Sequence, residues 1–357
     1  NVVKRGACDM KCAWKRFKYF MLVAVVAVWA FGSGAGVSEA AKHKLVVGSG
    51  GGNIGAPIHV AKVKGYFAQE DLVIDHKIFS SGAAMVEALA AGGVELGHSG
   101  DLPFVSLAAA NVPACIIAQN GQDKDYLEIF VGKDLGMTKP TDFYGKKIGL
   151  RFASAAHILW INFLQKYSLD AKKIRVVNLT PNDLIAAYKN KDVDGGVVWY
   201  PHLTTAEKVR PTHFAHSQLL NKFSKMAKPA NIHLSFTLIS ARKAALKNKP
   251  DAMRAYMRAM LKSYRFMNDS GNRAEFLSIL GKAYKMSAPA MKPILDNTFY
   301  RLEITDEMVN AEQAVADNMK RVGRKLKRTP NMKEFVYTDL LKSVAKDLAK
   351  TEGACKL

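Results

Sequence analysis

"FSSGAAMVEALAAGGVELGHSGD", residues 79–101, holds two strand-to-helix turns built from the smallest side chains. Phe79 ends an extended segment, and Ser80-Ser81-Gly82-Ala83-Ala84 then opens a helix with very small side chains. A second strand, "VELGHS", runs into another small turn, Ser99-Gly100-Asp101, at the start of the next helix. The device returns at "RFASAAHILW", where Ser154, Ala155 and Ala156 open a helix. In an open α/β sheet such strand-to-helix turns lie at the carboxyl edge, where ligands bind. Helix N-termini carry unpaired N–H groups and the positive end of the macrodipole, and small side chains let an anion approach them. Ser80, Ser81 and Gly82 supply one such end, and Ser154 and Ala155 supply another. Ordinary capping accounts for any one of these starts taken alone; three in matching positions predict a site.

Working outward, strand and helix alternate. "HKLVVGS" leads through the loop "GGGNIGAP" to a helix with apolar Ile58, Ala61 and Val63; "LVIDHKIF", "VELGHS" and "ACIIAQN" are further strands, with helices between them. Short connections and regular alternation predict a parallel sheet covered by helices. The pattern restarts at "KKIGLRF". A helix follows with Trp160, Phe163, Leu164 and Tyr167 on one side, then strand "IRVVNL", a helix with Pro181 in its first turn and strand "GGVVWYP". "LEIFVGKDLG" passes between the two units, and "NIHLSFTLIS" is a strand that can cross back. From Asn248 the chain reads as helices packed on the first unit. Met253, Tyr256, Met257, Met260, Leu261 and Tyr264 share one face, a core-facing stripe rather than a ligand groove.

Residues 1–40 read as a secretory signal peptide: a basic start, the apolar run "YFMLVAVVAVWAF" and small residues before Ala41. The run is too short to span a bilayer. Asn1 is an unusual first residue; counted from Met10, the leader is 31 residues long. Cys8 and Cys12 fall inside it. The remaining Cys115 and Cys355 read as a buried thiol and a tail thiol, with a disulfide the less supported alternative. Beyond the leader 46 basic residues face 29 acidic ones, a net charge of +17. This favours anionic partners or an anionic surface. The run "RVGRKLKRTPNMK" reads as solvated surface, and with no interleaved aromatic residues to stack bases it argues against nucleic acid. About 317 residues make two domains the natural count.

Among individual residues, Asp101 is either an N-cap or an acceptor for a ligand amine. Gly50-Gly51-Gly52-Asn53 lacks the G-x-G-x-x-G frame and instead frees the backbone to touch a ligand beside Asn53. Trp199, with Tyr200, forms either an apolar wall or a core element. His98, His157 and His202 fall near the same edge without metal-ligand spacing. No G-x-S-x-G elbow or other nucleophile constellation is present.

"GYFAQEDLVIDHKIFSSGAAMVEALAAGGVELGHSGDLP" resembles the first lobe of periplasmic substrate-binding proteins for aliphatic sulfonates, taurine and nitrate, a group that includes binders of thiamine-precursor pyrimidines. "FYGKKIGLRFASAAHILWINFLQKYSLD" and "VVNLTPNDLIAAYKNKDVDGGVVWYPHL" resemble their second lobe, and "LISARKAALKNKPDAMRAYMRAMLKSYRFMN" the return into the first. The resemblance implies a type II periplasmic-binding fold of two α/β lobes with two hinge crossovers. Lobe I comprises 41–130 and 241–357, and lobe II comprises 131–240. It implies ligand contacts at Asn53, Ser81, Gly82, Ser99, Asp101, Ser154, Ala155, His157 and Trp199. It also implies a monomer without cofactor that passes a small anion to the permease and ATPase of an ABC importer at the inner membrane. An aminopyrimidine cargo stacked on Trp199 or Tyr200 is the alternative. Further off lie an enzyme on the same fold, or a sensory protein serving no transporter. The glycine-rich first loop and His98 depart from the family pattern.

Overall fold

The computed structural model describes residues 42–123, 125–223, 228–229, 232–233, 235–319 and 329–357. The leader, and residues 321–328 of the basic run, lie outside them. The first run is β1 (His43–Gly50), α1 (Ala56–Val63), β2 (Leu72–Phe79), α2 (Gly82–Ala91), β3 (Leu96–Gly100), α3 (Asp101–Ala109) and β4 (Ala114–Asp123). β1 pairs in parallel with both β2 and β3. α2 buries Met85, Val86 and Leu89 and stops at Gly92, whose φ of 84° and closeness to the Arg242 guanidinium leave no room for a side chain.

The second run is β5 (Leu127–Gly132), β6 (Lys147–Leu150), α4 (Ala155–Lys166), β7 (Arg175–Asn178), α5 (Pro181–Lys189), β8 (Gly195–Trp199), α6 (His202–Val209), β9 (Thr212–Ser217), β10 (Leu220–Asn221) and β11 (Lys228–Pro229). They form a sheet in the order β11-β10-β9-β5-β8-β6-β7. α4 buries Trp160 and Phe163 against Phe143. β12 (Ser235–Arg242) then re-enters the first sheet between β3 and β4, antiparallel to both.

Two expectations change here. The sheets are mixed rather than parallel, because β5 runs antiparallel to β8 and β9, as β12 does to its own neighbours. "LEIFVG" is a fully buried inner strand of the second sheet, not a passage between units. The chain therefore changes sheets between Asp123 and Leu127 and again between Pro229 and Ser235. The expected boundaries at 130 and 240 fall inside β5 and β12.

α7 (Lys243–Asn248), α8 (Pro250–Asn268), α9 (Arg273–Tyr284), α10 (Ala288–Asp296), the short β13 (Thr298–Phe299) and α11 (Asp306–Asn318) complete the first lobe. β13 adds an antiparallel edge to β4. Along α8, Met253, Tyr256, Met257, Met260 and Tyr264 are buried, while Arg258 and Lys262 hold Glu70 at 2.6 and 2.8 Å on the outer side. The methionine stripe is core. Val63, expected among the apolar positions of α1, is 65% exposed, because two residues after the buried Ala61 it falls on the opposite side of the helix.

Cys115 and Cys355 are joined in a disulfide, which corrects the reading of two free thiols. The C-terminal segment runs beside β4: the Tyr337 N–H donates to the Ile116 carbonyl and the Cys355 N–H to the Val336 carbonyl, each at 2.9 Å. That path brings the two sulfurs together. Among the described residues no helix is long and apolar enough to cross a membrane.

Candidate functional site

The carboxyl edges of the two sheets face each other across a cavity of about 350 Å³. The first lobe contributes the Gly50–Ile54 loop after β1, Ser80-Ser81-Gly82 after β2, Gly100 after β3 and Asp123 at the end of β4. The second lobe contributes Ser154 and Ala155 at the start of α4, Thr180-Pro181-Asn182 at the start of α5, and Trp199 to His202 after β8. The structure thus brings Asn53, Ser80, Ser81, Gly82, Ser154, Ala155 and Trp199 to one cleft.

The helix starts differ in how their N–H groups are used. Ser81 caps α2, its Oγ accepting from the Ala84 N–H at 3.3 Å. Ser154 supplies no side-chain cap to α4, because its Oγ donates to the Arg151 carbonyl at 2.7 Å instead. The first turn of α4 therefore offers N–H groups that its own N-cap side chain leaves alone. Gly82 packs against α3, so that a Cβ there would stand 3.4 Å from the Gly100 nitrogen. The α2 and α3 starts are thus neighbours. A Cβ at Gly51 or Gly100 would meet nothing within 4 Å, and both residues line the cavity. These are places where a guest can lie directly against backbone. Gly52 is different: its φ is 67°, and a Cβ would sit 2.7 Å from the Tyr126 hydroxyl.

No lysine or arginine is among the described residues lining the cavity, although the chain carries a formal charge of +21. His202 lines it, and burial lowers its pKa, which favours the neutral ring. Among the described residues, an anion held here meets neutral donors and helix dipoles rather than a cationic side chain.

Three residues expected at the cleft stand apart from its lining. Ser99 is fully buried in β3, its Oγ donating to the Gly100 carbonyl at 3.1 Å. Asp101 is 1% exposed; its Oδ1 accepts from the Leu102 N–H at 2.6 Å, and its Oδ2 lies 3.1 Å from His233 Nε2. His157 accepts the Ala153 N–H at 3.3 Å through Nδ1 and stacks on Phe152, which locks the turn before α4. Asn53 reaches the cavity, but its amide is turned inward. Its Nδ2 donates to Asp123 Oδ1 at 2.6 Å and to Thr298 Oγ1 at 3.1 Å.

His98 is a core histidine, held between Asn120 Oδ1 at 2.8 Å and the Tyr256 hydroxyl at 2.7 Å, and burial lowers its pKa to about 4. Among the described residues no group of three or more His, Cys, Asp or Glu side chains is placed to hold a metal ion.

Sequence reasoning missed Asp123, Tyr126 and Tyr284. Asp123 is 5% exposed, and burial pushes its carboxyl up to about 8. Tyr126 stands on the first crossing between sheets, its hydroxyl donating to the Tyr200 carbonyl at 2.6 Å. Tyr284 ends α9, and its buried hydroxyl finds no partner. The polar run "QNGQD" closing a wholly apolar strand at the ligand edge was a signal for Asp123. Nothing local marks Tyr284.

Residues 55–274 match the family model described as NMT1/THI5 like. The taurine-binding periplasmic protein of Escherichia coli is 33% identical over 153 residues, 43% of this chain and 47% of that protein. The aligned part thus spans about half the length of that relative. A putative aliphatic sulfonates-binding protein of the same organism is 27% identical over 66% of this chain and 69% of its own length. The alkanesulfonate-binding protein SsuA from Xanthomonas axonopodis pv. citri, solved with MOPS bound, superposes with a TM-score of 0.69 at 18% identity, covering 83% of this chain and 98% of that one. The periplasmic nitrate-binding protein NrtA from Synechocystis superposes with a TM-score of 0.66 at 18% identity, covering 85% and 89%. The fold is that of periplasmic binding proteins.

Proposed function

The chain belongs to the NMT1/THI5-like family, and on that premise we propose that it is the periplasmic solute-binding component of an ABC importer, capturing a small sulfonate-type anion between its lobes. The observation that carries this reading is the pairing of open backbone at Gly51 and Gly100 with the uncapped α4 start at Ser154, across a cavity whose described lining residues include no lysine or arginine. Such a site stabilises an anion with preorganised N–H groups and does not spend a charged partner on it. Ser81, Gly82, Ser154 and Ala155 are the anion contacts, and Trp199 the wall. Ligand that touches both lobes favours the closed arrangement over the open one.

The chain then acts without catalysis, as a monomer, and hands its cargo to a membrane permease driven by an ATPase. Residues 1–40 serve as a cleaved export signal. The enclosing rings Tyr126, Trp199 and Tyr200 favour a second reading, an aromatic cargo of aminopyrimidine type stacked against them.

Thermal unfolding with added ligand separates the two. A ligand at about 100 times its dissociation constant stabilises the folded state by about 2.7 kcal/mol. Alkanesulfonates or nitrate raise the unfolding temperature on the first reading. An aminopyrimidine does so on the second, with quenching of tryptophan fluorescence that is lost in Trp199→Ala. No rise with any of these overturns both.

A further inference from the structure

We propose that the wall of the cavity formed by Asn53, Ser235 and Tyr284 reads hydroxyl groups, so that the cargo is a polyhydroxylated, sugar-sized sulfonate; this rests on the reading of the cleft as an anion site. All three residues line the cavity. Each has a buried polar atom that finds no hydrogen-bond partner among the described residues: Asn53 Oδ1, Ser235 Oγ and the Tyr284 hydroxyl. They belong to one neighbourhood. Ser235 opens β12 directly opposite Asp123 on β4, and Thr298 on β13 stands opposite Asp123 from the other side. Asn53 Nδ2 spans Asp123 Oδ1 and Thr298 Oγ1, at 2.6 and 3.1 Å, which fixes the amide and leaves its oxygen unused. The Tyr284 hydroxyl stands against the same loop, since a Cβ at Gly55 would be 2.8 Å from it. Asn53 and Ser235 are each only 1% exposed.

Buried polar groups are nearly always paired, and three open ones on one wall call for a partner from outside. A guest that displaces water from such groups must reproduce its hydrogen bonds. The chemistry of the three atoms selects the guest. Asn53 Oδ1 only accepts, whereas the Ser235 and Tyr284 hydroxyls both donate and accept. A sulfonate oxygen only accepts, so it leaves Asn53 Oδ1 unmet and belongs at the helix starts. An ammonium only donates, and leaves the two hydroxyl protons without an acceptor. An alkyl tail meets none of the three. Guest hydroxyls donate and accept, and so meet them all. Burial pushes the Asp123 carboxyl up to about 8, so it is mostly protonated at pH 7 and adds little charge to this wall. Size points the same way. The cavity, about 350 Å³, lies in the range of about 300–1,000 Å³ that takes drug-sized guests. Trp199 and Tyr200 then cover the carbon framework of the guest.

The test is calorimetric titration of the full chain with 6-deoxy-6-sulfoglucose and with hexane-1-sulfonate, which has the same number of carbons and no hydroxyl. Wild type is expected to favour the hydroxylated compound by about tenfold or more. In Ser235→Ala and in Tyr284→Phe that advantage should shrink by about threefold or more, while the affinity for hexane-1-sulfonate stays within about twofold of wild type. Each change removes a hydroxyl that has no described partner in the empty protein, so the unfolding temperature should hold or rise. A hydroxyl with a merely structural role would show the reverse, lower stability with the advantage unchanged. Equal or weaker binding of the hydroxylated sulfonate by wild type, or an advantage unchanged in both variants, overturns the inference while leaving the anion site intact. Failure of both sulfonates to bind overturns the anion reading and the inference together. The wild-type comparison decides the class of cargo even if a variant does not fold.

Discussion

Cys115, in the fully buried strand β4, is covalently joined to Cys355, 240 residues later and close to the C-terminus. The bond ties together the two separate parts of the first lobe, and the whole second lobe lies within the loop that it closes. It holds the C-terminal segment along β4, and neither cysteine is among the residues lining the cavity. Cys115→Ser or chemical reduction should therefore lower unfolding stability by about 2–4 kcal/mol. Ligand affinity measured below the unfolding temperature should change less than about twofold. A large loss of affinity with unchanged stability would show that the bond serves the cleft instead.

Ala155 opens α4 beside an N-cap that leaves its N–H groups unused. Ala155→Asp places a carboxylate on the positive end of the dipole, which stabilises the empty protein by about 0.3–1 kcal/mol. The same charge occupies the place of the anion and repels it. Apo stability should rise or hold while sulfonate affinity falls by at least about tenfold, equivalent to about 1.4 kcal/mol. Thermal melts and titration on the same sample check both signs, and any gain in affinity contradicts the placement.

At Gly100 a side chain would point into open space within the cavity, and the backbone, at φ −78° and ψ 179°, suits any residue. Gly100→Val should fold with an unfolding temperature close to wild type and bind the anion at least about tenfold more weakly. A fully functional Gly100→Val would mean that the guest sits elsewhere.

The alternation of strand and helix, and the small residues at three helix starts, made the two-unit α/β architecture and seven of the ten candidate residues readable as neighbours of one cleft. What stayed hidden depended on the third dimension. Asp101 and Asp123 both stand at the ligand edge of the first sheet; the run "QNGQD" points to Asp123, but nothing local says that Asp101 turns away from the gap. Asp101 is turned toward the Leu102 N–H and His233. Cys355 lies within reach of Cys115 where Val336 and Tyr337 run beside Ile116, a placement that no local sequence signal gives. β5 looked like a connector, since its antiparallel partners β8 and β9 come some sixty and more residues later.

Asp101, which does not line the cavity, is expected to act structurally, and Asp101→Ala tests that directly. It removes the acceptor of a buried N–H and leaves His233, 3.1 Å away, beside an empty space. Stability should fall by about 2 kcal/mol or more. The ratio of affinities for amino and plain sulfonates should stay at its wild-type value. A changed ratio would return Asp101 to the ligand.

Glu128 gives a pH signature in the second lobe. Burial raises its carboxyl to about 7, even with the Lys222 ammonium 2.8 Å away pulling it down. Its pKa in the folded chain exceeds the unfolded value, so the folded state holds a proton that the unfolded state has released. Wild type should therefore gain stability relative to Glu128→Gln as pH falls from about 7 to 4.5, by an amount of order 1–3 kcal/mol. Denaturant melts of both proteins across that range check the sign. A gap that moves the other way would show that Lys222 outweighs burial.

The most direct measurement is the backbone amide spectrum of the isotope-labelled chain during titration with an alkanesulfonate or 2-aminoethanesulfonate. The N–H resonances of Gly82, Ala155 and Ala156 should move together and saturate at one ligand per chain, from opposite sides of the cavity. If the ligand binds and those three amides stay in place while others shift, the anion is not held at the helix starts.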